Sequence, residues 1–263
     1  MRTSNPVLNE RTFTQDTRRA ELLSRGLGPG SGMPAAPVPG TMTIGGTIAK
    51  CLFLLGILVV AAAFIWNRFI QGGVQVTVPY LLAGCIGGLI LALITTFAPR
   101  CAPWTSPIYA ACEGLVLGAL SAMLEARYKG IVITAVAVTF GVFLAMLLAY
   151  TSRVLRATPK FTMGMIIAMS GLLLVTVVGW LAGPLFGRTL SIYGAGPVGI
   201  GFSIAVTILA ALNLILDFEI IKQGAESGAP KYMEWYGAFG LLVTLVWLYI
   251  EVLRLLVKLR GRR

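Results

Sequence analysis

The sequence predicts an all-α membrane protein, a bundle of seven transmembrane helices behind a disordered, solvent-exposed N-terminal tail. Three observations carry that reading. Of 263 residues, 57% are hydrophobic and only 12% are charged, against about 25% charged in an ordinary soluble domain. Apolar stretches of membrane-spanning length, roughly 20 residues, recur along the chain from residue 42 onward. Burying that much apolar surface in one water-soluble core is implausible at this length, so the bilayer is the fitting solvent.

Residues 1–41 form the tail. Arg18-Arg19, Glu21, Arg25 and the Gly- and Pro-rich run from Gly26 to Gly40 cannot build a core-facing element; a short helix over Asp16 to Leu23 is the only order expected there. No apolar stretch sits near the start as a cleaved signal would require. Residues 42–263 form the transmembrane domain. Its first span is Cys51 to Trp66, extended by Ile44 to Ala49 with Lys50 snorkelling to the interface. Phe69 to Pro99 has no charge, and Pro79, suited to a first turn, sets the second helix at Pro79 to Phe97. The third is Ser106 to Leu124, interrupted by Glu113; the next three are Gly130 to Ser152, Phe161 to Leu181 and Val198 to Leu216. The last, Tyr236 to Leu256, carries Glu251 and Arg254. Trp66, Trp104, Tyr128, Tyr150, Tyr193, Tyr232 and Trp235 fall near proposed ends, where aromatic rings favour the interface. Small-xxx-small pairs, Gly84/Gly88 and Gly114/Gly118, mark faces where helices approach closely.

Composition excludes several function classes. The chain has no histidine, the commonest general base and metal ligand, and no nucleophile has a base beside it, so an enzyme is not expected. The net charge of +11 is spread over both tails and most loops, as basic loops of an inner (plasma) membrane protein are, and does not read as a nucleic-acid surface. The two sides nearly balance in Lys and Arg, which leaves the orientation open. Cys51, Cys85, Cys101 and Cys112 form no C-x-x-C pair, so neither a zinc site nor a disulfide framework is expected. Gly194-Ala-Gly196-Pro-Val-Gly199 is a literal G-x-G-x-x-G, but it lacks the strand a dinucleotide site needs. It reads as a flexible entry to the sixth span.

Chemistry is sought in the acids at membrane depth, which cost at least ~2.5–3.5 kcal/mol there and are functional candidates by default. Asp217 shares a helical face with Asn213, four residues earlier; Glu219, about 200° away around the helix, cannot face the same cavity. The alternative for Asp217 is a hydrated site one turn from the loop. Glu251 shares a face with Trp247 and Arg254, and a local Glu251–Arg254 pair would neutralise both charges within one helix. Glu113 could contact backbone carbonyls or a serine as a neutral acid, and both structural and transport roles stay open for it.

Leu216-Asp217-Phe218-Glu219, Ala229-Pro230-Lys231-Tyr232-Met233-Glu234-Trp235-Tyr236 and Trp247-Leu-Tyr-Ile-Glu251-Val-Leu-Arg254-Leu-Leu256 resemble bacterial members of the Bax inhibitor-1 (transmembrane BAX-inhibitor motif) superfamily. Ser4-Asn5-Pro6-Val7-Leu8 and the stretch from Tyr109 to Gly118 extend the resemblance to essentially the whole chain. The resemblance implies a seven-helix bundle with a central last helix. It also implies a pH-sensitive calcium leak channel gated by a carboxylate pair on the last two helices, onto which Asp217 and Glu251 map as proton and calcium ligands. Arg100 is the counterpart of the family's gating arginine; Asn213, Arg254 and Glu113 are supporting residues. Two departures stand out: the second acid is Glu rather than Asp, and the segment between the acids is longer. Two close carboxylates would share a proton and titrate as a pair. A resident cofactor is not expected. The competing readings are a proton-coupled small-solute transporter, which would use the same acids, and a non-transporting partner of a membrane protease or stress response.

Overall fold

The computed structural model describes residues 40–155, 157–186, 194 and 196–261, without the side chains of 180 and 182–186. The chain divides into two units, Met1–Val38 and Pro39–Arg263. The first unit, with the short helix expected over 16–23, lies outside the described residues. The second is helical: α1 (Ile44–Phe97), a 3-10 turn at Pro99–Cys101, α2 (Ala102–Arg127), α3 (Ile131–Thr151), α4 (Pro159–Phe186), α5 (Pro197–Glu226) and α6 (Met233–Arg260). Six helices among the described residues are long and apolar enough to cross a membrane.

Local sequence sets the element ends. Thr43 caps α1, its hydroxyl accepting from the Gly46 amide at 3.0 Å. Gly130, at φ 78°, supplies the left-handed residue before α3, and the Glu125 carboxylate closes that turn by accepting from the Gly130 and Val132 amides. Pro197 opens α5, where its missing N–H costs nothing. Within the helices, hydroxyls fold back onto the carbonyl four residues earlier, as Thr96, Thr151, Ser170 and Thr176 do. This satisfies them without water.

α1 is one helix only by hydrogen-bond continuity. At Gly73 the backbone takes φ 67° and ψ −158°, a region essentially reserved for glycine. The chain turns back there. Phe64 and Tyr80 would stand about 24 Å apart on a straight helix, yet their ring centroids are 6.2 Å apart. The second helical stretch therefore begins at Val74, five residues before the expected Pro79. Glycine's freedom at 73, rather than the imino ring, decides where the turn falls.

Both halves of α1 pack on α2 through the expected small residues. A Cβ on Gly84 would lie 2.7 Å from the Cys112 carbonyl, and one on Gly118 would lie 2.6 Å from the Ala62 carbonyl. α6 is the most buried of the six helices and α4 the least; α6 touches α1, α2, α3 and α5. It runs parallel to α2, as two contacts show: Tyr109 meets Phe239 (ring centroids 4.9 Å) and Ser121 meets the Tyr249 hydroxyl at 2.8 Å. Against α5 it runs antiparallel. The end where α1 and α6 begin is termed the near end; α6 finishes at the far end.

Candidate functional site

The α5–α6 interface carries a ladder of polar groups. On α6, Gly237, Thr244, Glu251 and Lys258 recur every seven residues, so they share one face with only a slow drift around the helix. Gly237 meets Ile221. Thr244 accepts a hydrogen bond from the Asn213 amide at 3.1 Å. The Lys258 ammonium donates to the Gly199 carbonyl at 2.9 Å and to the Ser203 hydroxyl at 2.8 Å. Each seven-residue step is about 10 Å along the axis. The result is a seam with three polar stations spaced along the interior of the helix pair.

Asp217 belongs to the first station. Its Oδ2 is buried and has no hydrogen-bond partner, while Thr244 interacts with the same carboxyl group. Asn213 and Asp217 thus share a face, as their spacing requires, and meet through Thr244. Glu251 is the second station and only 4% exposed. Arg254 donates to both of its oxygens, at 2.9 and 3.2 Å, and Trp247 also interacts with its carboxyl group. The carboxylate pair that the family resemblance implies does not come together as a direct Asp217–Glu251 contact. Asp217 lies level with Thr244, two helical turns from Glu251, and Glu251 is held by the nearer cation of its own helix. Glu219 turns away, accepting from the Tyr150 hydroxyl at 2.8 Å and from Gln223.

The supporting residues divide. Asn213 and Arg254 are at the seam. Glu113 is not: it sits between α1 and α2, against Gly88 and beside Tyr109. Arg100 is exposed on the 3-10 turn and forms no ion pair among the described residues. No group of three or more Cys, Asp or Glu able to hold a metal occurs among the described residues. A cation at Asp217 would therefore draw its remaining ligands from amide, hydroxyl, carbonyl or water oxygens.

Sequence reasoning missed two partnerships. One is Lys258 with Ser203, announced only by the seven-residue spacing from Thr244 through Glu251. The other is a clasp at the near end. Glu234, 1% exposed, accepts from the Thr43 amide at 3.0 Å and the Thr43 hydroxyl at 2.9 Å, and pairs with the Lys50 ammonium. Gly46 has no side chain because a Cβ there would collide with that carboxylate. Lys50 also lies 5.5 Å over the Trp235 ring. Lys50 does not snorkel to the interface; it is neutralised inside the bundle, because Glu234 reaches it. Beside the clasp, the Met42 amide donates to the Ala229 carbonyl and the Lys231 amide to the Gly40 carbonyl, at 2.7 and 3.1 Å. The four cysteines are free.

Apolar helices with a polar seam inside define a multi-pass membrane protein. The chain belongs to the Bax inhibitor 1-like family, whose model matches residues 5–261. No curated protein and no solved structure matches it.

Proposed function

We propose that this chain is a pH-sensitive calcium leak channel of the inner or plasma membrane, conducting along the α5–α6 seam. In this reading the turn at Gly73 divides α1 into two crossings, giving seven spans in all. The observation that carries it is the buried, unpartnered carboxylate oxygen of Asp217. A charge there has the Thr244 hydroxyl beside it but no ion pair among the described residues, and buried charges persist only when paired or bound to an ion. Loss of the Asp217 proton therefore creates a demand that an incoming cation meets. Calcium takes about 6–8 oxygen ligands, so Asn213, Thr244 and water complete a loose and leaky shell. Glu251 is a second acidic station about 10 Å further on, closed while Arg254 occupies it. Passage requires Arg254 to swing aside, which its half-exposed side chain permits.

The test is calcium entry into liposomes that hold the purified protein and an indicator dye, measured across a range of pH. Flux rises with pH in the native protein. In Asp217→Asn, which has no proton to lose, the rise flattens. A pH profile in that variant identical to the native one removes Asp217 from the gate.

A further inference from the structure

We propose that Lys258 is a tethered cation, filling an oxygen-lined cation position at the far end of the seam and closing it against ions that arrive from Glu251. The inference rests on the conduction reading above and adds an element that limits leak through the pathway.

Three observations support it. First, Lys258 lies on the seam itself, seven residues after Glu251 and fourteen after Thr244 on the same face of α6. Second, its ammonium is received by the Gly199 carbonyl and the Ser203 hydroxyl, 2.9 and 2.8 Å away. These are neutral oxygen donors of the kind that replace water around a permeating cation. Gly199 is the last glycine of the G-x-G-x-x-G stretch, which here supplies a cation ligand and no phosphate cradle. Third, the site is an awkward one for a structural lysine. The residue is 8% exposed, and its ammonium sits beside the first turn of α5, the positive end of that helix dipole. A long lysine near a helix end ordinarily snorkels outward to the interface. Lys258 turns inward, and Arg260, two residues on, reaches outward to the Lys129 carbonyl at 2.7 Å.

A fixed positive charge about 10 Å from Glu251 acts on a divalent ion there with a barrier worth on the order of 100-fold in rate at protein-like dielectric, and less where water screens it. Neutralising it leaves the Gly199 and Ser203 oxygens free for the ion.

The experiment measures calcium leak through full-length protein in liposomes at fixed pH. Lys258→Met, close in length and without charge, is expected to leak at least about tenfold faster than native protein. Lys258→Cys is expected to leak likewise, to close again when 2-aminoethyl methanethiosulfonate restores an ammonium, and to stay open after the uncharged methyl reagent. Native protein treated with both reagents controls for the four native cysteines. Leak that depends on Asp217 but is unmoved in Lys258→Met overturns the plug and leaves the conduction reading standing. So does a raised leak that both reagents reverse equally, since that reports packing rather than charge. No flux through native or variant protein overturns both readings.

Discussion

Replacing Glu234 by Gln tests the near-end clasp. The carboxylate accepts from Thr43 twice and from Lys50 once. An amide can keep the Thr43 bonds on its oxygen, but it turns an NH2 toward the Lys50 ammonium, donor against donor. Side-chain exposure is 2% for Glu234 and 18% for Lys50. Breaking one partner of a buried pair costs about 3–5 kcal/mol. Because Lys50 keeps some access to the surface and can partly relax outward, the lower end applies, about 3 kcal/mol. That is roughly a hundredfold loss in the ratio of folded to unfolded protein. Lys50→Met should cost about as much, since it strands the carboxylate. The double variant should recover about 2 kcal/mol or more relative to the sum of the singles. Reversible unfolding in mixed micelles, followed by tryptophan fluorescence, reads all four proteins. If each single change costs under about 1 kcal/mol and the two add, the Glu234–Lys50 pair does not hold the near end together.

Asp217→Asn should change stability by no more than about 1 kcal/mol, because the Oδ2 position gives up no hydrogen bond; a loss of function with an unchanged melting profile confirms this. Gly118→Ala should cost about 1–3 kcal/mol, since its Cβ would meet the Ala62 backbone at 2.6–2.7 Å. Gly56→Ala, with nothing within 4 Å, should be neutral or stabilising in the same melt. Gly73→Ala should cost about 1–3 kcal/mol through its backbone angles alone, although the space around it is open. The folded fraction recovered in detergent measures that cost.

Local periodicity carried much of this architecture in the sequence. The apolar runs located the helices, the four-residue Gly pairs located the tight α1–α2 contact, and the three-residue step from Glu251 to Arg254 located their ion pair. Asn213 and Asp217 were placed on one face by the same helical arithmetic, and they do converge on Thr244. Partners set by tertiary packing were not legible, although the seven-residue spacing puts Lys258 on the Thr244–Glu251 face. Nothing near Lys50 indicates that its counter-ion is Glu234, and nothing near Ser203 points to Lys258. The start of the second helical stretch was misplaced because Pro79 is a conspicuous signal and Gly72-Gly73 a quiet one. Only the observed φ of Gly73 shows which one turns the chain. The expected contact between Asp217 and Glu251 came from resemblance, and the seven-residue register between Thr244 and Glu251 keeps the two acids apart.

The pairing of Lys50 with Glu234 also bears on biogenesis. The two residues are 184 positions apart in the chain, and synthesis proceeds at about 5–20 residues per second, so the lysine waits roughly 10–40 s for its counter-ion. Through that interval the first helix must enter the bilayer carrying a charge it cannot yet neutralise. Its beginning can settle only when the last helix emerges from the ribosome. The bundle is thus closed by its final segment, and a chain truncated before residue 234 would present the quality-control machinery with an unmatched cation at its opening helix.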